Sequence, residues 1–211
     1  NYQKLSDCLF ITHSINDFEE KDLYFPSWDQ ELKNEFGLLS KNLCFDYSKK
    51  VFKDLKRKKI YIPKYLNPVA EIKIFLSQLH LILLIIIKLF QAKDTQEVSI
   101  YLKMISEVFS SSVINNIRFY KYLYKQFTFS KPKYLFITFE GHAWETLALI
   151  VAKRFSVSVF AYQHSAIFSD QHSIFRNLPE LHPDVICIPG SGYKHFYKNF
   201  SRSKIAVTGS V

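Results

Sequence analysis

The hydrophobic pattern changes period several times along the chain, and each change predicts an element. From Asp7 the run CLFITH is apolar and rich in strand-favouring residues, and it ends on polar His13, Ser14 and Asn16. It predicts a first strand whose carboxyl end opens into a loop. After Pro26, Ser27 stands at an N-cap position with Glu31 close behind, and apolar Leu32 and Phe36 precede Gly37, which predicts a short helix. Asn42 to Tyr47 reads as a second strand, followed by the basic run KKVFKDLKRKK. Ile60 to Pro68 carries two prolines and reads as a loop. Val69 to Gln91 predicts one long helix with the intensely apolar segment LHLILLIIIKLF. Lys73, Gln78, His80 and Lys88 interrupt it, whereas a bilayer span asks for about 20 uncharged residues, so the reading favours a buried core helix. Thr95 to about Phe127 predicts a further helix, with Val98, Leu102, Ile105, Val108 and Phe109 at helical spacing.

From Lys131 onward the alternation is regular. KYLFITFEG is a strand, Ala143 to Phe155 an amphipathic helix and SVSVFAYQH a strand. A polar and aromatic loop leads to Pro183-Asp184, then come a strand VICIPG, a helix SGYKHFYKNF and a closing strand-like KIAVTGSV. Strands alternating with helices demand a parallel sheet, because a parallel pair needs a crossover that packs on the sheet. The fold class is therefore α/β: a Rossmann-like parallel sheet with helices on both faces and a helical segment, about 66–128, in the middle. The chain of 211 residues is read as one such domain.

Composition narrows the class. Hydrophobic residues make up 48% and Gly plus Pro are scarce, which excludes disordered and collagenous chains. The 28 Lys and Arg against 19 Asp and Glu leave a net charge of +9, which suits a negatively charged partner: phosphate, nucleic acid or an anionic membrane surface. The abundance of Phe, Tyr, Ile, Asn and Lys also fits an A+T-rich genome, so part of the charge has a bland origin. Cys8, Cys44 and Cys187 are odd in number, far apart and set in apolar runs, which reads as buried thiols of a reducing cytoplasm. The first residue is Asn1 and the last run is strand-like, so the chain reads as a piece of a longer polypeptide.

In an open parallel sheet, ligands bind beyond the carboxyl ends of the strands. Four strand ends then give His13-Ser14, Glu140-Gly141-His142, Gln163-His164-Ser165 and Gly190-Ser191-Gly192, all polar or glycine. Glu140 can take a proton from a sugar hydroxyl or bond two vicinal hydroxyls. Glu145 reads more simply as a carboxylate complementing the positive end of a helix dipole. Gln163 and His164 share one turn and suit a phosphate or carboxylate. His13 rests on its strand-end position alone. Gly190-Ser191 resembles a phosphate-binding turn only in outline, since GxGxxG, GxxxxGK[ST] and GxSxG are all absent. With no HExxH or CxxC spacing, neither a metal nor a cofactor is expected.

The succession ITFEGHAWE, VFAYQHSAIF, LPELHPDVICIPGSGYKHFY and IAVTGSV resembles the N-terminal half of bacterial surface-polysaccharide glycosyltransferases of the two-Rossmann GT-B type, including the Kdo-using capsule and lipopolysaccharide enzymes. LFITHS with Trp28 is similar to their first strand and helix. The resemblance covers Lys131 to Val211, more weakly Asp7 to Tyr47, and none of the middle helices. It implies metal-independent transfer of a sugar from a nucleotide-sugar donor to a glycan or lipid-linked glycan acceptor, by direct displacement at the anomeric carbon. It further implies Glu140 as the catalytic acceptor-side base, with Gly141 and Trp144 shaping its turn and Gln163 and His164 facing an interdomain cleft. His13, Glu145, Gly190 and Ser191 complete the expected substrate-binding set. The donor-binding C-terminal domain would lie outside this chain, and the fragment alone would be inactive. A cytoplasmic place, peripheral on the membrane, follows from lipid-linked acceptors. The alternative is a non-catalytic nucleotide- or glycan-binding module. A nucleic-acid binder built on the Tyr/Lys-rich segment Phe119 to Phe127 ranks below both, since no nucleic-acid fold signature accompanies the charge.

Overall fold

The computed structural model describes residues 7–13, 24–25, 27–45, 59–61, 65–164, 174 and 178–209. Among the described residues seven strands form one sheet: β1 (Cys8–His13), β2 (Ser40–Phe45), β3 (Lys59–Tyr61), β4 (Tyr134–Thr138), β5 (Ser158–Tyr162), β6 (Val185–Ile188) and β7 (Lys204–Val207). The order is β3-β2-β1-β4-β5-β6-β7, and every pair is parallel. The chain leaves β1 toward one edge and resumes at β4 toward the other, so β1 and β4 flank the point where the winding reverses.

The chain forms two compact units, residues 1–62 with 123–211, and residues 63–122. The first holds the sheet. Across its middle, Phe10 pairs with Phe136 and Phe136 with Phe160 in register, and their rings stack at centroid distances of 4.6 and 5.0 Å. Phe25 and Trp28 close over this aromatic row, which makes one face of the core. Trp28 belongs to α1 (Trp28–Phe36), whose first turn is fastened by Ser27 Oγ donating to Glu31 Oε1 at 2.6 Å. Gly37 ends it at φ 63°, where its N–H and that of Leu38 reach the last carbonyls. The alternate residues Leu9, Ile11, Leu135, Ile137, Val159, Ala161 and Ile186 are fully buried. The helix α5 (Ala143–Arg154) lies against β4 and β5 and buries Ala148, Leu149, Val151 and Ala152. Asp184 anchors the start of β5, accepting from Val159 N–H at 2.7 Å while pairing with Lys153 at 2.8 Å.

The second unit holds α2 (Pro68–Phe90), α3 (Thr95–Val108) and most of α4 (Ser111–Phe129). Asn67 caps α2 through Ala70 N–H, and Pro68 fills a first-turn position that needs no donor. Asp94 caps α3, with Glu97 reaching back to Lys93 N–H. Gln78 is buried and donates from Nε2 to Val108 O at 2.6 Å, joining α2 to the end of α3. Arg118 grips Glu71 through both Nε and Nη2.

Four expectations change. The long apolar helix is not a buried core helix: among its residues only Ile74, Gln78 and Ile85 are buried. The segment from Thr95 is two helices, because Phe109 and Ser110 break it and Ser110 Oγ then accepts from Val113 N–H. The region read as a loop from Ile60 begins inside β3, and β2 starts two residues earlier than Asn42. Finally, SGYKHFYKNF is a 3-10 segment, Ser191–Tyr197, and not an α-helix.

Candidate functional site at the strand ends

The turn between β4 and α5 is built around one buried carboxylate. Gly141 adopts φ 85°, a left-handed conformation in which a side chain would be strained. With the backbone so bent, the N–H groups of Glu140, Gly141 and His142 all donate to Glu145 Oε2, at 2.9, 2.8 and 2.9 Å. Thr138 Oγ1 donates to the other oxygen at 2.7 Å. Glu145 is 1% exposed; burial pushes its carboxyl up to about 7, and the four hydrogen bonds hold it back from rising further. Trp144, next along α5, is buried and stacks on the His142 ring.

With the turn braced from inside, the Glu140 side chain pairs with His164. Its Oε1 lies 2.9 Å from His164 Nδ1, and the two side chains are 16% and 31% exposed. The His164 ring meets Tyr24 edge-on at 4.5 Å and lies tilted over Tyr162. A carboxylate and an imidazole in contact, each open to solvent on one side, can accept and hold a proton from a hydroxyl. With Nδ1–H donated to Glu140, Nε2 is the acceptor nitrogen of the ring.

Gln163, beside His164, faces inward. It is fully buried, its backbone N–H donates to Cys187 O, and its Oε1 accepts a short hydrogen bond from Tyr197 Oη. Burial, followed by the charges of Glu140 and Glu145, raises the Tyr197 phenol well above its ordinary value, so it stays a donor. Tyr197 is a site residue that the sequence reading missed, because its partner is 34 positions away.

His13 ends β1, opposite Phe45 of β2 and beside the β4 end. Gly190 has extended backbone at the start of the 3-10 segment, and Ser191 is exposed there. Ser14, Ser165 and His172 lie outside the described residues, as does the side chain of Cys44. Cys8 and Cys187 are buried, and burial pushes both thiols up to about 11. No cluster of metal-ligating side chains occurs among the described residues. A groove of about 730 Å³ lies beside α1 on the sheet face, lined mainly by apolar side chains such as Trp28, Leu32, Phe136, Phe160 and Val185, with Glu31, Glu35 and Thr208 among its lining. It does not include the strand-end pair.

An all-parallel sheet of this order, with polar side chains gathered at the carboxyl ends beside the reversal, defines a Rossmann-like α/β fold of the kind that forms one half of GT-B proteins. Solved structures with this fold include the lipopolysaccharide outer core galactosyltransferase WaaB in its apo form (TM-score 0.55, 11% identity, 95% of this chain and 44% of that one). Another is the UDP-GlcNAc 2-epimerase from Methanocaldococcus jannaschii (TM-score 0.53, 10% identity, 96% of this chain and 45% of that one). The chain thus spans less than half the length of either. No protein-family model matches the sequence, and no curated protein does.

Proposed function

We propose that this chain is the acceptor-side half of a glycosyltransferase that moves a sugar from a nucleotide-sugar donor to a surface glycan such as capsule or lipopolysaccharide. The observation that carries the reading is the Glu140–His164 pair at the carboxyl ends of β4 and β5, next to the winding reversal. Supporting it, the two neighbours named above are a galactosyltransferase and an epimerase of UDP-GlcNAc, both sugar-handling proteins. In this reading the acceptor hydroxyl sits against Glu140, which takes its proton as the oxygen attacks the anomeric carbon and the nucleotide leaves. Gly141 and Trp144 shape the turn, and Glu145 holds it. His13, His164, Gly190 and Ser191 line the strand ends around the acceptor, with Gln163 bracing them from beneath. The donor nucleotide is held mainly by a second Rossmann domain, and the enzyme works in the cytoplasm at the anionic membrane surface where lipid-linked acceptors lie.

The same 2.9 Å contact favours a second division of labour, in which His164 accepts the proton at Nε2 and Glu140 orients the ring. The test is steady-state transfer by the full-length protein with a panel of nucleotide sugars, comparing wild type with Glu140→Gln and His164→Gln. A donor turned over by wild type and lost in both variants supports the reading. Undiminished turnover in both would overturn it, and a folded full-length protein that binds nucleotide sugars without turnover would leave a binding module.

A further inference from the structure

We propose that α2 docks the protein on an anionic lipid bilayer, lying along the surface with its outer side sunk between headgroups and acyl chains. The inference stands beside the proposed transferase activity and rests on it only for the identity of the surface.

The helix has 23 residues, about 34 Å at 1.5 Å per residue. Ile74, Gln78 and Ile85 fall on one side and are buried, with Gln78 bonded to Val108 O. On the opposite side Val69, Ile72, Leu76, Leu79, Leu83 and Phe90 are all exposed, from 44% upward, with Phe90 at 86%. Phe75 and Ile87 widen this apolar stripe to roughly 120° of the circumference at about 100° per residue, and the sector beside it carries exposed Lys73, Ser77, His80 and Lys88 together with Leu81 and Leu84. Leu102 and Met104 of α3 are exposed as well. A monomer leaves so large an apolar surface uncovered only where something apolar meets it.

The charge beside it decides what that something is. One partner helix covers a stripe of about 100°, and a paired seam carries flanking charges of both signs to set its register. Here the flank of the stripe carries one sign of charge only: apart from Glu71, already held by Arg118, the charged residues of α2 are the exposed lysines Lys73 and Lys88. A deformable lipid phase covers such a stripe, and lysines beside it match anionic headgroups, as does the chain's net charge of +9. The helix is also long and apolar enough to cross a bilayer. Its buried side, however, is engaged by protein along three turns, which fits lying in the interface.

The test is flotation of the full-length protein with vesicles of phosphatidylcholine, with and without phosphatidylglycerol, at low and high salt. Wild type should float with the anionic vesicles at low salt. Leu76→Glu with Leu83→Glu, at two exposed positions, should weaken partitioning about a hundredfold with the circular dichroism spectrum retained. Lys73→Ala with Lys88→Ala should weaken it about tenfold on anionic vesicles alone. Failure of folded wild type to float, or equal flotation of all variants, would overturn the proposal. So would a dimer in sedimentation velocity that the leucine variants dissolve while vesicles go unbound, which would assign the surface to a second copy. None of these readouts requires catalysis, so loss of the transferase reading and loss of the docking reading are separable.

Discussion

His164 Nδ1 lies 2.9 Å from Glu140 Oε1, joining the residues that end two adjacent parallel strands. Their partial exposure leaves both open to a ligand at the strand ends. Under the proposed transferase reading, Glu140→Gln in the full-length protein should lower kcat by about 10²–10⁴-fold while shifting Tm little, since the side chain is not buried in the core. A split between the variants assigns the roles: if Glu140 is the base, His164→Gln should mainly perturb the pH profile, whereas the reverse pattern makes His164 the base. Single-turnover kinetics across pH checks it.

Glu145 should give the fold an unusual pH dependence. Its carboxyl rises on folding from the ordinary 4.5 to about 7, with burial as the leading cause. Between these values the unfolded chain has already released a proton that the folded chain keeps. The group's contribution is therefore fully present below pH 4.5 and is lost as pH climbs through 7, by about 3 kcal/mol at most. Urea midpoints at pH 5 and pH 8 should show the loss in wild type. Glu145→Gln should remove this slope, because the amide does not titrate.

Gly141→Ala should destabilise by about 1–2 kcal/mol, because φ 85° strains any residue with a Cβ. The same change at Gly192, where an added Cβ meets nothing within 4 Å, should be nearly neutral. Thermal melts of the two variants measured side by side check this.

Tyr197→Phe should cost about 1–3 kcal/mol, since it removes the hydroxyl that donates to the buried Gln163 Oε1. Calorimetry of the variant reads the cost. If Gln163 only braces the site, acceptor KM should stay within about twofold, as loss of a bracing contact leaves the groups that touch acceptor in place.

Much of this architecture is legible along the chain, but unevenly. From Tyr134 to Val207 each strand alternates cleanly or runs apolar between Pro, Gly or polar stops, so β4, α5, β5, β6 and β7 fall within a few residues of their sequence limits. The helix α2 shows where composition stops helping: apolarity predicts contact with something apolar, and the same letters describe a core helix and a surface that lipid covers. The break before Ser111 is local capping chemistry outvoted by a continuing apolar period. β3 was hidden by neighbouring prolines and lysines, because a three-residue edge strand has too few positions to show a period. Glu140, Gln163 and His164 were each visible as strand-end polar residues. That Glu140 pairs with His164, and Gln163 with Tyr197, depends on strand register and on where the 3-10 segment lies, which no local pattern encodes.

The β4–α5 turn carries one more implication, for what α5 cannot do. A helix start following a glycine-bearing turn is ordinarily a place where incoming phosphate is welcomed by unused amides. In this chain the helix supplies its own resident anion: three consecutive amides are already spent on Glu145. A diphosphate arriving there would meet a filled cradle and, above neutral pH, a like charge behind it. Recognition of a phosphate at the strand ends would then be the task of groups other than the amides of this turn.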